Sequence, residues 1–194
     1  MVRPAIDIPR RRFTTAEYHR MGEAGIFGYD ERLELLDGDI LVQERIRPPH
    51  ASCVMRTMHF LLTRLDKKAT IRTRAPIVLG RYSEPEPDVS VLVRRDDFYA
   101  AAHPRPRDTL LVMEVLSSPE SYDRVVKLPL YARAGIPEVW LADPIAKTIA
   151  VHRGPALRGY REQWTLMRDD KAAPLAFPRL RARGTDFLGS TASR

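Results

Sequence analysis

The sequence predicts an α/β domain built on one central mixed sheet, and three stretches carry that expectation. Residues 109–116 (T-L-L-V-M-E-V-L) show no polar alternation, as in a strand buried on both faces. Residues 122–134 have helical spacing and end at Gly135, a common helix terminator. Residues 139–142 are again short and apolar, so strand, helix and strand follow in the order of a parallel pair with a crossover. The run Val89–Val93, which opens after Asp88, is expected in the same sheet.

The remaining elements follow in chain order. Residues 1–12 are rich in proline and arginine and lack periodicity, which fits a loose arm; Arg10, Arg11 and Arg12 either touch phosphate or are solvated. Thr14 and Glu17 form a capping box that starts a short helix through Glu23. Leu33–Leu36, Asp37-Gly38 and Asp39–Val42 read as a hairpin, because Asp-Gly tolerates the backbone angles of a two-residue turn. Its register puts Glu34 either inward or at a sheet edge. Pro48-Pro49 halts the preceding chain, and residues 51–65 carry Val54, Met58, Leu61, Leu62 and Leu65 at helical spacing. His50, at the start of that helix, reads first as a cap or surface group and second as a ligand. Residues 71–79 supply one or two strands divided at Ala75-Pro76; Arg72 and Arg74 share a face that either lines a nucleic-acid groove or is solvated. Residues 96–108 read as a helical turn and a loop, and residues 148–152 as a strand after the Asp143-Pro144 turn. Beyond Gly154 the signals weaken to short edge strands at 164–167 and 175–177.

The bulk numbers set bounds. A chain of 194 residues suffices for one domain with a proper core. Thirty-two lysines and arginines against 25 acids give a net charge of +7, which suits a polyanionic partner but also fits a soluble basic protein. The single cysteine, Cys53, excludes an intramolecular disulfide and a cysteine-based zinc cluster. No run has the length of a membrane span, and the N-terminal residues lack a signal-peptide hydrophobic region, so the expected location is the cytoplasm.

Three residues stand where packing alone would not put them. Asp88 lies at the mouth of a strand, Glu114 interrupts an apolar strand, and Lys127 falls in an apolar helical arc between Ala134 and Tyr131. Glu114 must find a cation, a lysine or a proton there. Carboxylates on neighbouring strand ends can hold a hard divalent cation, while a lysine orients water and offsets developing charge; this is equipment for metal-dependent phosphodiester cleavage. Magnesium or manganese suits two carboxylates, Asp88 and Glu114, and the Val115 carbonyl. Burial in the apolar arc predicts a depressed Lys127 pKa. Asp123, four residues earlier, forms either an ordinary intrahelical salt bridge or a partner that positions the ammonium. Pro129 predicts a kink two residues past Lys127.

Glu86-Pro87-Asp88, the run L-L-V-M-E-V-L ending at Leu116, and residues 122–143 (Y-D-R-V-V-K-L-P-L-Y-A-R-A-G-I-P-E-V-W-L-A-D) resemble the Uma-type family of restriction-endonuclease-like proteins. The resemblance covers nearly the whole chain and implies a single restriction-endonuclease-like domain over 12–188, with flexible termini at 1–11 and 189–194. It also implies that the strand lysine of the wider PD-(D/E)-x-K nucleases is absent, Leu116 standing two after Glu114, and that Lys127 replaces it. It places Glu34 near the pocket as an extra metal or water ligand, notes histidine near position 50, and implies a homodimer that presents two sites to duplex DNA. The competing expectation is a catalytically silent nucleic-acid-binding or assembly module that keeps the fold.

Overall fold

A computed structural model describes residues 10–43, 45–118 and 121–189. Helix α1 (Thr15–Glu23) starts at the expected box: Thr14 Oγ accepts the Glu17 N–H at 3.2 Å, and Glu17 Oε2 accepts the Thr14 N–H at 2.9 Å. The hairpin β1 (Leu33–Leu36) and β2 (Asp39–Val42) turns at Asp37 and Gly38, both with positive φ, 51° and 89°. Helix α2 (Pro48–Leu65) begins three residues before the expected start, because Pro48 and Pro49 occupy its first turn, where a missing N–H leaves nothing unpaired. The expected arm and tail fall largely outside the described residues. Arg10, Arg11 and Arg12 are described, and they pair with Asp39, Glu17 and Asp37.

The chain then builds the sheet with β3 (Ala69–Arg72), β4 (Val89–Val93) and β5 (Thr109–Val115). After the crossover helix α3 (Leu128–Ala134) come β6 (Glu138–Asp143), β7 (Thr148–Ala156) and β8 (Gly159–Leu166). Two short strands, β9 (Lys171–Ala172) and β10 (Ala182–Arg183), and helix α4 (Gly184–Leu188) close the fold. The six-stranded sheet has the order β3-β4-β5-β6-β7-β8, with β5 and β6 parallel and the other neighbours antiparallel. The expected sheet and its parallel pair are therefore present.

Alternate residues of β5 serve different cores. Leu111, Met113 and Val115 face Cys53 and Leu61 of α2 and Phe187 of α4, while Val112 and Leu116 face Tyr131 of α3 and Ile136. Both faces are covered, which explains the unbroken apolar run. Glu114 lies between Met113 and Val115, so it points to the α3 side.

Three expectations need correction. Residues 73–79 form no strand: Arg74 takes φ of 47°, and the Ile77 and Val78 N–H groups bond to the Pro85 and Pro104 carbonyls instead of a sheet neighbour. Residues 175–177 form a turn in which the Phe177 N–H bonds to the Pro174 carbonyl at 2.9 Å, whereas the weak signal at 164–167 belongs to the end of the longer strand β8. The expected helix over 122–134 is split, with a π-helical turn over Asp123–Lys127 before α3. Pro129 cannot donate to the Val125 carbonyl. The widened turn, in which the Leu128 N–H reaches the Asp123 carbonyl, relieves the conflict on the N-terminal side of the proline.

Candidate active site

The antiparallel register of β4 and β5 pairs Val89 with Met113, so Asp88 stands beside Glu114. Their link is mutual. The Asp88 N–H donates to Glu114 Oε2 at 3.0 Å, and the Val115 N–H donates to Asp88 Oδ2 at 2.9 Å. The crossover brings Lys127 over this pair, with Nζ at 3.3 Å from Glu114 Oε1 and 3.3 Å from Asp123 Oδ1. A third carboxylate arrives from the hairpin, Glu34 Oε2 at 3.2 Å. Glu34 therefore points inward and is fully buried.

These charges are held by neutral donors. Tyr131 OH donates to Glu114 Oε1 at 2.6 Å, Tyr122 OH to Glu34 Oε1, and the Glu86 N–H to Glu34 Oε2 at 3.1 Å. Ser121 OH donates to Asp123 Oδ2 at 2.5 Å. His50, in the first turn of α2, places Nε2 at 3.0 Å from Asp88 Oδ2, while its Nδ1 is buried with no hydrogen-bond partner. It is a member of the cluster and not a surface group. The π-helical turn keeps Asp123 and Lys127 on one side of the helix, and Asp123 is one of three acids sharing the ammonium.

Four acids, Glu34, Asp88, Glu114 and Asp123, thus form one cluster with a single lysine, which Glu34, Glu114 and Asp123 contact directly. Burial pushes the Glu114 carboxyl up to about 8; Lys127 opposes this, and the charges of Asp123 and Asp88 reinforce it. Lys127 departs from expectation. Burial acts to lower its pKa, but the charges of Glu114, Glu34 and Asp123 outweigh burial and hold it well above the ordinary lysine value. The apolar arc, read without its carboxylate neighbours, gave the wrong sign.

The cluster opens on a small cleft of about 40 Å³ that His50, Arg74, Asp88, Val115, Asp123 and Lys127 help to line. Arg72 does not share it: its Nη2 lies 3.5 Å from His103 Nδ1, because the chain leaves the strand after Arg72 and turns Arg74 alone toward the cleft. Among the described residues, no three His, Cys, Asp or Glu side chains stand together as a ready ion cage. The donor set nevertheless suits a hard cation: Asp88 lines the cleft together with Val115, and the Asp88 N–H holds the Glu114 carboxylate beside it. Tyr122, Tyr131, Ser121 and Gln43 were not singled out in the sequence. Only Tyr131 left a signal, four residues after Lys127 in the same arc.

Fold and cluster together make a mixed α/β domain with a buried centre of carboxylates and one lysine. The crystal structure of "a putative nuclease belonging to DUF820 from Anabaena variabilis ATCC 29413" is similar, with a TM-score of 0.72 and 18% identity over 91% of this chain and 97% of that one. No curated protein matches the chain in sequence. The profile of the Uma2 family, described as "Putative restriction endonuclease", matches residues 15–184, and the chain belongs to that family.

Proposed function

We propose that this protein is a metal-dependent endonuclease that hydrolyses phosphodiester bonds of DNA. The observation that supports the reading best is the excess of buried carboxylates around Lys127, two of which, Asp88 and Asp123, line a cleft with that lysine. Such an excess repels phosphate unless a cation lies between. Asp88, Glu114 and the Val115 carbonyl would hold Mg²⁺ or Mn²⁺, with Glu34 buried behind them against Lys127. The bound ion would supply Lewis-acid polarisation of a phosphoryl oxygen and a more acidic water. Lys127, kept protonated by its neighbours, donates hydrogen bonds to the attacking water or the developing phosphorane charge and does not act as the base. Asp123 and Tyr122 position it; His50 restrains Asp88 through Oδ2. Two chains side by side would offer one cleft to each strand of a duplex.

The test is cleavage of a labelled duplex with Mg²⁺, Mn²⁺ or EDTA, by wild type and Lys127→Ala. Turnover should require the metal and fall at least about 10²-fold in the variant, with DNA binding retained. Metal-independent cleavage, or equal turnover in the variant, would reject the mechanism. Binding without cleavage under every metal would favour the catalytically silent module.

A further inference from the structure

Arg74 is the cleft residue whose placement the carboxylate cluster leaves unexplained. Its φ of 47° lies in the left-handed region, which a non-glycine residue occupies at a cost. Its backbone is clamped to the start of β4, since the Arg74 N–H reaches the Pro87 carbonyl at 3.0 Å and the Asp88 carbonyl at 3.3 Å. The strained backbone thus turns the side chain beside Asp88 and not along the sheet edge with Arg72. Nη2 donates to Gln43 Oε1 at 3.0 Å, and Gln43 is itself held by Glu86 Oε2 at 2.9 Å and by Arg32. Nη1 is buried with no hydrogen-bond partner, and among the described residues no carboxylate stands within ion-pair distance of the guanidinium. Here is a fixed, half-buried cation with uncommitted donors, in a cleft that Asp88, Asp123 and Glu86 also line.

Resting on the nuclease reading, we propose that Arg74 grips a backbone phosphate of the nucleic acid in this cleft, with Gln43 as its positioning residue. Donors that the guanidinium leaves uncommitted can turn to phosphate oxygens, whereas a neighbouring carboxylate would have consumed them. One positive charge also offsets part of the repulsion that the four acids exert on an incoming strand. Gln43 ties the arginine to the hairpin that carries Glu34, so phosphate grip and catalytic floor keep a common geometry.

The test measures equilibrium binding of a fluorescein-labelled 20-base-pair duplex in EDTA, by anisotropy across a salt series, so that cleavage plays no part. Arg74→Gln should weaken binding roughly tenfold and reduce the slope of log K against log salt by about 1, the signature of one lost phosphate contact. Arg74→Lys should keep the slope but not the full affinity, since it retains charge without the fork. Gln43→Ala should weaken wild type and leave Arg74→Gln unchanged. If Arg74→Gln melts early and cannot be assayed, Arg74→Lys decides: wild-type affinity in that variant overturns the proposal. Wild-type binding with an unaffected Arg74→Gln variant overturns it while leaving the nuclease reading intact. A wild type that binds no duplex at any salt, in EDTA or with Ca²⁺ supplied in its place, rejects both.

Discussion

Two glutamates on adjacent parallel strands, both buried, meet opposite fates. Glu138, at the start of β6, is answered in full: Arg153 approaches through Nε at 2.8 Å and Nη2 at 2.7 Å, Trp140 Nε1 donates at 2.7 Å and the Leu175 N–H at 2.6 Å. Glu114, near the end of β5, shares a single lysine with Glu34 and Asp123 and has Asp88 beside it. One acid with one arginine makes a closed structural joint. Four acids clustered with one lysine leave negative charge unspent, and that surplus is what a cation-assisted site requires.

The comparison breaks most sharply at Glu138. Glu138→Gln keeps the shape but leaves Arg153 without its counter-charge, so urea unfolding should show a loss of about 3 kcal/mol. Glu114→Gln at pH 4 should change stability by less than about 1 kcal/mol, because the carboxyl there holds its proton in the folded chain and largely in the unfolded one. Equal losses at the two positions would erase the distinction.

Titration sharpens it next. The Glu114 pKa is raised from 4.5 in the unfolded chain to about 8 in the folded one, so the native state keeps a proton that the unfolded state releases. Stability from this group is present below pH 4.5 and is lost as pH rises from there toward 8, by up to about 1.4 kcal/mol per pH unit. Lys127 stays charged throughout that window and adds no slope. Melts of wild type should show this fall and melts of Glu114→Gln should not; Mn²⁺ should restore the wild type most strongly near pH 8, where the proton leaves readily. A flat wild-type profile would refute the raised pKa.

The smallest expected effect belongs to Tyr131, whose hydroxyl is one of several donors on Glu114. Tyr131→Phe should cost about 1 kcal/mol in chemical denaturation, and a much larger loss would mean that the phenol, not Lys127, is the main partner of Glu114.

Much of this architecture was legible because it is local. The apolar run of β5, the Asp37-Gly38 turn and the Thr14 box each depend on near neighbours in sequence, and each stands in the structure as read. Residues 73–79 were misread for the opposite reason. Their alternation is strand-like, but a left-handed Arg74 and bonds to distant carbonyls take the segment out of the sheet.

The same division holds at the site. Sequence alone singled out Asp88, Glu114 and Lys127, because a charge in an apolar pattern is visible wherever the chain runs. Tertiary structure alone decided how many carboxylates surround the lysine, since Glu34 and Asp123 reach it from a hairpin and a π-helical turn. It thereby reversed the expected direction of the Lys127 pKa, moved His50 from the helix surface onto Asp88, and separated Arg74 from Arg72. The physical reason is range: hydrophobic pattern and turn chemistry are written over a few residues, whereas the electrostatic state of a buried group is the sum over every charge that folding brings near it.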